Sequence, residues 1–397
     1  MARSVRDVVF VDGVRTPFGK AGGALAAARA DDLVVKTFRE ILRRNPGLPP
    51  EAIDDVAVAA TTQMGDQGLT IGRSAGILAG LPSSVPGYSI DRMCAGAMTA
   101  VTTLSAGIMA GALDVALAGG VEHMTRHPMG EGIDPNPRFV AERLVDTDAL
   151  VMGKTAENIH DRYPQITKER ADRYAMGSQR KTKAAYVAGH LQPDIVPVAV
   201  PSADGWSLVS IDEGPRPETT LEGLATLKTP FRPHGRVSAG NSSGLNDGAT
   251  AALLASEERA DELGLTKKMR MVGYAFAGVA PEIMGVGPVP STEKALQRAG
   301  LSISDIDLFE INEAFAVQVL AFTDHFGIDD EDPRVNPLGG AIAVGHPLAS
   351  SGIRLMSYLA KDFEMNPSAR YGLTTMCIGL GMGGTVIWEN VNYAGAK

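Results

Sequence analysis

The sequence is poor in the residues that define several classes of protein. Its 397 residues include only two cysteines, Cys94 and Cys377, which are too few for a disulfide framework and, without help from histidines, for a structural zinc site. We therefore expect reduced thiols, no bound metal and a cytoplasmic location. Because cysteine is so rare in this chain, the position of each one needs an explanation.

Positive charge and long apolar runs are scarce as well. The chain has 37 Lys and Arg against 46 Asp and Glu, and its formal net charge of −9 argues against a nucleic-acid partner. A local basic patch for a phosphorylated small molecule is compatible with this balance. No run reaches the ~20 apolar residues of a membrane span. We expect neither such a span nor a targeting or lipidation signal at the ends of the chain.

What the sequence does contain is an alternation of strand and helix patterns. Residues 8–14, VVFVDGV, predict a buried strand, and residues 30–44 predict a helix with acids in its first turn. Residues 94–112 are rich in alanine and glycine and predict a helix that is buried on nearly all sides. Residues 114–120 predict a central strand. The alternation indicates the α/β class.

The middle of the chain and its last third indicate an insertion and a repeat. Residues 124–246 alternate charged helical patterns with turns rich in proline and glycine, and we interpret them as an inserted, less regular domain. Aligning Asp55 with Asp307 puts Cys94 and His346 each 39 residues further on, before runs of small residues. This spacing suggests a duplicated α/β unit, whose facing halves would bring two helix N-termini together.

Cys94 and His346 both lie at sharp junctions. Cys94 follows the strand-like stretch SIDRM, and it is either a small buried core residue or a nucleophile, since a helix N-terminus lowers a thiol pKa. His346 lies between Gly345 and Pro347 in GGAIAVGHPLASSG, where a structural histidine is the alternative to a general base. The junction favours the functional interpretation in both cases.

Two further motifs put chemically useful groups after strands. Cys377 begins CIGLGMGG, whose glycines match G-x-G-x-x-G. A strand pattern follows and the chain ends too soon for an acid ~20 residues on, so we reject a dinucleotide site. The glycines instead bring backbone N–H groups close to Cys377, as in an oxyanion-binding turn. Asn312, in EINEAFA, is either an ordinary helix N-cap or a fixed amide that positions a water or an oxyanion.

Together these segments resemble the thiolase family. DRMCAGAMTAV, SAGNSSGLNDGA, INEAFA with GGAIAVGHPLASSG, and CIGLGMGG occur in the family's order, and the resemblance covers essentially the whole chain. It implies a duplicated, five-layered αβαβα fold with an inserted loop domain. We assign residues 1–123 and 247–272 to an N-terminal half, residues 124–246 to a loop domain for CoA and oligomer contacts, and residues 273–397 to a C-terminal half.

The resemblance also implies roles at the site. Cys94 would be the nucleophile that takes up the acyl group, His346 would activate it, and Cys377 would act as acid and base for the leaving or incoming partner. Asn312, through a water, would join His346 in one oxyanion hole. The backbone N–H groups of Cys94 and Gly379 would form a second.

Four more residues match family positions that contact the substrate. Ser243 would contact the pantetheine part of CoA, and Lys228 would lie near its nucleotide part. Met152 and Met284 would line the acyl pocket. The alternatives are a plain turn-rich loop, a solvated lysine and core methionines.

Two positions depart from the family pattern. Many relatives have asparagine where this chain has Asp91, whose carboxylate could hinder formation of the Cys94 thiolate or could pair with Arg92. Val151 precedes Met152, where short-chain biosynthetic members often carry histidine. We take the second departure as a sign of the degradative, broader-chain branch.

The resemblance implies an acyltransferase. We expect a 3-ketoacyl-CoA thiolase of fatty-acid β-oxidation, with CoA as a substrate and no permanently bound cofactor. The alternatives are an acetyl-CoA acetyltransferase that forms acetoacetyl-CoA, a related decarboxylating condensing enzyme, and a non-catalytic thiolase-like binder of acyl-CoA or lipid. We also expect a homodimer or homotetramer, with a hydratase/dehydrogenase subunit as a further possible partner.

Overall fold

The computed structural model describes residues 5–202 and 205–395, so the outermost residues of the two halves defined above lie outside the described residues. Its strands are β1 (Val8–Arg15), β2 (Gly19–Lys20), β3 (Asp55–Ala59), β4 (Tyr88–Ile90), β5 (Val115–His123), β6 (Val198–Ser202), β7 (Gly205–Val209), β8 (Asn246–Ser256), β9 (Met269–Gly278), β10 (Leu308–Ile311), β11 (Tyr371–Ile378) and β12 (Met382–Asn390). Its α-helices are α1 (Ala30–Arg44), α2 (Ile71–Ala79), α3 (Gly96–Met109), α4 (Arg138–Ala141), α5 (Met152–Arg162), α6 (Lys168–Val187), α7 (Leu221–Ala225), α8 (Glu257–Glu262), α9 (Pro288–Ala299), α10 (Ala316–Phe326), α11 (Ala341–Val344) and α12 (Ser351–Met365). None of the described helices is long and apolar enough to cross a membrane.

The strand order is the same in the two halves of the chain. The first half has the order β4-β3-β5-β8-β1, and the second has β10-β11-β12-β9 with Val335 bridged in parallel to β10. Each series begins with two parallel pairings and ends with two antiparallel ones. This repeated order confirms the duplicated α/β architecture that the sequence predicts.

Two central helices lie between the halves. α3 packs on β3, β5 and β8, α12 packs on β1, β10 and β11, and the two helices contact each other. On the outer faces, α1 covers the first half of the sheet and α9 covers the second. The halves meet along a short pairing of β1 with β9, at Val9–Arg270 and Phe10–Met269. The result is five layers, in the order helix, sheet, helix, sheet, helix.

The contact between α3 and α12 depends on small residues. A Cβ atom on Gly352 of α12 would overlap the backbone of Met98 in α3. All but a few positions of α3 are buried, because the helix has neighbours on the sheet side and on the α12 side. The run of alanine and glycine in residues 94–112 therefore serves helix packing.

In the structure, the residue equivalent to Asp307 is Asp54 and not Asp55. Asp307 Oδ2 accepts hydrogen bonds from two successive backbone N–H groups at the start of β11, at 2.7 and 3.0 Å. Asp54 Oδ2 does the same at the start of β5, at 2.6 and 3.0 Å. The alignment on Asp55 is therefore wrong by one position, although Cys94 and His346 still follow at nearly equal distances.

Residues 124–246 lie mainly on the C-terminal half. α5 contacts the turn Pro281–Val286 and α10, and α6 contacts α10 and α11. β6 and β7 form a separate two-stranded antiparallel sheet. A buried ion pair connects this segment to β1, because Arg15 Nη1 lies 2.6 Å from Asp212 Oδ1 with both side chains almost fully buried. The segment thus covers the end of the sheet at which the candidate site lies.

Candidate active site

Cys94 lies in a sharp turn between β4 and α3. The 3-10 turn Met93–Ala95 carries it, and Met93 has a left-handed backbone with a φ of 46°. Asp91 supports the turn, because its Oδ1 accepts a hydrogen bond from the Met93 N–H at 2.6 Å. Cys94 is 9% exposed and precedes the first turn of α3. The helix dipole favours a thiolate at this place.

His346 lies at the corresponding junction of the second half, between α11 and α12. Gly345 makes the turn possible, since its φ of 109° is disfavoured for residues with a side chain. The backbone N–H of His346 donates to Asn246 Oδ1 at 2.9 Å, and Nδ1 lies 2.6 Å from Ser351 Oγ. Ser351 Oγ donates its own proton to the Pro347 carbonyl at 3.0 Å. We therefore assign the ring proton to Nδ1, which leaves Nε2 as a free base.

Burial keeps the His346 ring neutral. Its pKa is lowered to about 3, first because the ring is buried and second because the positive charge of Arg354 is near. A neutral imidazole accepts a thiol proton, whereas an imidazolium cannot. His346 is therefore in the form that can accept a proton, and the same lowered pKa makes it a weak base in the free protein.

Asn312 faces His346 from the end of β10. Asn312 Nδ2 lies 3.3 Å from His346 Nε2, and Asn312 Oδ1 accepts a hydrogen bond from Arg354 Nη2 at 3.0 Å. Helix α10 begins only at Ala316, with Phe315 at its N-cap position. The N-cap interpretation of Asn312 is therefore wrong, and its amide is turned to the site.

Cys377 is the second thiol of the site. It lies near the end of β11, is fully buried, and its Sγ lies 3.7 Å from Gln318 Oε1, to which the thiol donates a weak hydrogen bond. Burial raises the pKa of the Cys377 thiol well above its usual range, and the neighbouring Cys94 adds to the rise. The thiol is therefore held protonated and can donate a proton.

The glycines that follow Cys377 form a hairpin loop. β11 and β12 pair as far as Ile378 and Met382, and the intervening loop has φ angles of 60° at Leu380 and 78° at Gly381. β12 follows at once, in agreement with the rejection of a dinucleotide-binding turn. The loop carries the backbone of Gly379 to Cys94.

Cys94 is a neutral thiol in this environment. Burial raises its pKa to about 12, and the negative charges of Glu122 and Asp91 add to the rise. The backbone N–H groups of Gly379 and of Cys94 itself face the sulfur and lower the pKa of the thiol in part. These two N–H groups are the donors that the family resemblance assigns to one oxyanion hole. A negative charge at this position is stabilised by these two N–H groups and by the N-terminus of α3, and it forms when a base takes the thiol proton.

The two junctions meet across the centre of the molecule. The turn Met93–Ala95 packs against β11 and against the 3-10 turn Leu348–Ser350, which precedes α12. The structure thus brings together the segments that carry Cys94, His346, Asn312, Cys377 and Gly379. No cluster of three or more His, Cys, Asp or Glu suited to a metal ion occurs among the described residues.

Met152 and Met284 lie beside these groups. Met284 is buried in the same apolar cluster as Cys377, and Met152 packs against that cluster. A Cβ atom on Gly379 would lie 3.9 Å from the Met152 sulfur. Both methionines therefore surround the end of the site that carries Cys377 and Gly379.

A cavity of about 300 Å³ lies next to His346. It is lined by Asn246 and Gly345, and Asn246 holds the His346 backbone. Ser242 and Gly244 line the cavity on either side of Ser243, which is half-buried and whose N–H donates to the Ala314 carbonyl at 3.0 Å. The loop of residues 238–248 is therefore part of the cavity wall.

The basic residues of this cavity differ from the expected one. Lys20 and Arg216 line the cavity. Lys228 is exposed on the segment after α7 and is not among the described residues that line it. Sequence reasoning missed both lining residues. Lys20 stands in a short turn-rich stretch near the N-terminus and Arg216 in another such stretch, and neither stretch has a periodic pattern that would indicate a binding role.

A site of this kind forms and breaks thioesters, which defines an acyltransferase that works through a cysteine. Residues 8–258 match the family model described as "Thiolase, N-terminal domain", and residues 265–390 match "Thiolase, C-terminal domain". The chain belongs to the thiolase family.

Known proteins resemble the chain over nearly its whole length. The 3-oxoadipyl-CoA/3-oxo-5,6-dehydrosuberyl-CoA thiolase of Escherichia coli is 45% identical over 406 residues, covering 98% of this chain and 100% of its own. The 3-ketoacyl-CoA thiolase of Cronobacter sakazakii is 45% identical, covering 97% of this chain and 99% of its own. A crystal structure of human mitochondrial 3-ketoacyl-CoA thiolase in complex with CoA has a TM-score of 0.87 at 34% identity, covering 98% of this chain and 100% of that one.

Proposed function

We propose that the protein is a 3-ketoacyl-CoA thiolase that cleaves 3-ketoacyl-CoA with CoA to acetyl-CoA and a shortened acyl-CoA. The observation that carries this proposal is the convergence of four groups on one site. Cys94 and His346 come from equivalent junctions of the two halves, and Asn312 and Cys377 come from the ends of β10 and β11. A non-catalytic binder would need none of these groups. The 45% identity to named thiolases supports the same conclusion.

The first half of the proposed reaction forms an acyl-enzyme. His346 Nε2 takes the proton of Cys94 Sγ, and the thiolate attacks the 3-keto carbon of the substrate. The oxyanion is stabilised in one of the two holes, either by Asn312 and His346 or by the N–H groups of Cys94 and Gly379. The C2–C3 bond then breaks, its electron pair forms the enolate of acetyl-CoA, and Cys377 Sγ–H protonates the enolate carbon.

The second half restores the enzyme. Cys377, now a thiolate, takes the proton of the incoming CoA thiol, and the CoA sulfur attacks the thioester on Cys94. The Cys94 thiolate leaves and recovers its proton from His346. Each proton returns to its starting group, and the acyl chain leaves on CoA two carbons shorter.

The cavity beside His346 supports a role in CoA binding. Ser242 and Gly244 put the loop that contains Ser243 at its wall, as expected for a pantetheine contact. Lys20 and Arg216 are better suited than Lys228 to contact phosphate groups, because both line the cavity. The human mitochondrial neighbour was solved in complex with CoA.

The acyl substrate has two candidates. The apolar surroundings of Met152 and Met284 favour an unbranched 3-ketoacyl chain. A second candidate is a 3-ketoacyl-CoA that ends in a carboxylate, because a relative with 45% identity is a 3-oxoadipyl-CoA thiolase. Arg92 supports the carboxylate-ended candidate, because its half-buried guanidinium, two residues before Cys94 in sequence, could pair with a carboxylate. Its Cζ atom lies 3.8 Å from the centroid of the Phe276 ring. An acetyl-CoA acetyltransferase, the remaining alternative, requires a narrower pocket.

Self-association is part of the proposal. β4 is the edge strand of the sheet and is only half-buried. Met129, Ile133 and Leu144 in the inserted segment are exposed. These features support the homodimer or homotetramer expected from the family. The proposal also includes a cytoplasmic location and a hydratase/dehydrogenase subunit as a partner, both expected from the family alone.

The deciding experiment compares CoA-dependent cleavage of 3-ketohexadecanoyl-CoA, 3-oxoadipyl-CoA and acetoacetyl-CoA. Fastest cleavage of the long chain supports the unbranched-chain substrate, and fastest cleavage of 3-oxoadipyl-CoA supports the carboxylate-ended one. In the second case Arg92→Met is expected to raise KM for 3-oxoadipyl-CoA about 10-fold or more, which is the loss of one charge-assisted contact. Cleavage of acetoacetyl-CoA alone would move the protein to the acetyltransferases, and cleavage of none would refute the proposal.

A further inference from the structure

Behind Asn312 and His346 lies a buried charged cluster that the reaction above does not use. It consists of Arg354 and Asp362 on α12 and Glu310 on β10, and none of the three has exposed surface. Burying ionised groups costs several kcal/mol each unless they are paired and hydrogen-bonded. A cluster of this kind beside a catalytic centre therefore needs an explanation.

Arg354 connects the cluster to the site. Arg354 Nη2 donates a hydrogen bond to Asn312 Oδ1 at 3.0 Å, and Asn312 Nδ2 lies 3.3 Å from His346 Nε2. A side-chain amide has one oxygen and one nitrogen end, and only the oxygen can accept from a guanidinium. The contact with Arg354 therefore turns the amide nitrogen of Asn312 to His346.

Glu310 lies next to Arg354, and Asp362 lies next to Glu310. Arg354 Nη1 lies 3.6 Å from Glu310 Oε2, which is an ion pair without a hydrogen bond. Within the described chain, no donor from outside this pair reaches any of the four carboxyl oxygens of Glu310 and Asp362. The two carboxyl groups neighbour each other, and burial raises the pKa of both well above the usual range. One proton held between them satisfies the pair and leaves a single negative charge opposite Arg354.

We propose that Arg354 is a positioning residue that orients the Asn312 amide towards His346, and that Glu310 and Asp362 hold Arg354 by sharing one proton. The inference rests on the proposed function, in which Asn312 and His346 act on the substrate. It assigns to α12 a second task besides packing against α3.

Other charges face this cluster from several elements. Tyr358 on α12 lies under the Arg354 guanidinium at 5.1 Å, and Lys181 on α6 acts on the Asp362 carboxyl. Glu313, which follows β10, acts on Glu310. Glu122 at the end of β5 and Asp91 before the Cys94 turn act on the thiol. Of these groups, Arg354 is the one whose charge acts on His346.

The test uses two readouts on Arg354→Met and Arg354→Lys. The first is kcat and KM for cleavage, and the second is the rate at which iodoacetamide alkylates Cys94 at pH 7, followed on the Cys94 peptide by mass spectrometry. Methionine has neither charge nor donor, so we expect kcat to fall about 100-fold with KM for CoA within about twofold. Alkylation should become several-fold faster, because loss of the cation makes His346 a stronger base for the thiol.

Arg354→Lys separates the charge from the orientation. Lysine keeps the positive charge but lacks the planar fork of donors, so kcat should fall about 10-fold while alkylation stays at the rate of the unmodified protein. A merely loosened site would speed alkylation in both variants. Ser357→Ala is the matched control, because Ser357 is buried on the same helix and its Oγ has no partner in the described residues.

The shared proton has its own test. In Glu310→Gln or Asp362→Asn the new amide donates to the remaining carboxylate, so each variant should keep kcat within about threefold. The double variant leaves Arg354 without a counter-charge and should lose either kcat, as Arg354→Met does, or the folded state. Single variants as damaging as the double one would overturn the shared proton.

The outcomes separate this inference from the proposed function. If the unmodified protein cleaves no 3-ketoacyl-CoA, the proposed function fails, whereas alkylation of Cys94 still reports on Arg354. If cleavage is normal, and Arg354→Met keeps both kcat and the alkylation rate, the positioning role is refuted and the proposed function remains.

Discussion

The junctions that carry Cys94 and His346 are equivalent in topology and opposite in charge. Each follows the outermost strand position of its half and precedes one of the two central helices, α3 or α12. Glu122 and Asp91 put negative charge near Cys94, whereas Arg354 puts positive charge near His346. The repeated fold thus gives two similar positions, and the side chains around them make the positions different.

The difference has a chemical consequence. Negative charge disfavours a thiolate and positive charge disfavours an imidazolium, so both junctions favour the neutral forms of Cys94 and His346. A thiolate that is always present reacts with any electrophile, whereas a neutral pair transfers its proton when a substrate carbonyl and its oxyanion donors are in position. The opposite charges therefore restrict the reactivity of the nucleophile to the substrate complex.

Removing the thiol of the first junction should have the largest effect. Cys94→Ala is expected to lower kcat by about 10⁴-fold or more, because no thioester can form. Incubation with acetyl-CoA should leave the variant at its unmodified mass, whereas the unmodified protein gains an acetyl group. An acetyl adduct on Cys94→Ala would show that another residue is the nucleophile.

The second thiol acts in both halves of the proposed reaction, but it does not carry the acyl group. Cys377→Ala is expected to lower cleavage of 3-ketoacyl-CoA by about 10²–10⁴-fold, because no group protonates the enolate or deprotonates CoA. The acetyl adduct on Cys94 should still form from acetyl-CoA, but more slowly, because the CoA thiolate then leaves without a proton from Cys377. This variant is therefore the matched control for Cys94→Ala. Loss of the adduct in Cys377→Ala would contradict the division of roles between the two thiols.

The buried neutral ring of the second junction should lower stability in acid. The pKa of His346 is about 3 in the folded protein and ~6.5 in an unfolded chain, so the unfolded state binds more protons between these values. As pH falls below ~6.5, this group should cost up to about 1.4 kcal/mol per pH unit of unfolding free energy. His346→Gln cannot titrate and should lose less stability than the unmodified protein over the same range.

Denaturant unfolding at pH 7.5, 5.5 and 4.5 measures this difference. His325→Gln is the control, because His325 lies at the exposed end of α10 and pairs with Glu293 at 2.9 Å. It should follow the unmodified protein. Equal pH dependence for His346→Gln and the unmodified protein would mean that His346 titrates normally when folded.

Much of this comparison could be predicted from the sequence. The strand-like stretch before Cys94 and the small residues after it define a junction, and the glycine and proline around His346 define another. The family resemblance supplied the roles of Asn312 and Cys377. Local pattern is sufficient for such features because strand, turn and helix signals follow one another within about 20 residues.

The charges around the junctions could not be predicted in this way. Arg354 contacts a residue 42 positions away, and Glu122 acts on Cys94 from the end of another strand. Neither has a distinctive local pattern, because a buried arginine on a helix looks like a surface residue until the opposite strand is known. The local interpretation of Asn312 failed for the same reason, since a strand end before a helix looks like an N-cap.

The smallest effect is expected from a change at Asp91. Asparagine is isosteric with aspartate, and in Asp91→Asn the side-chain Oδ1 still accepts the hydrogen bond from the Met93 N–H, so the turn of Cys94 should persist. Arg92 lies over the Phe276 ring. Burial raises the pKa of Asp91, and among the described residues no basic group lowers it again. Asp91→Asn therefore removes one unbalanced negative charge next to the thiol.

We expect Asp91→Asn to be alkylated at Cys94 about two to five times faster than the unmodified protein at pH 7, with an unchanged Tm. Asp91→Ala removes both the charge and the turn contact, and it should combine faster alkylation with a lower Tm. If Asp91→Asn reacts at the unmodified rate, Asp91 acts on the turn alone, and the negative charge near Cys94 comes from Glu122. The contrast between the two junctions would then depend on residues of the sheet and not on the turn itself.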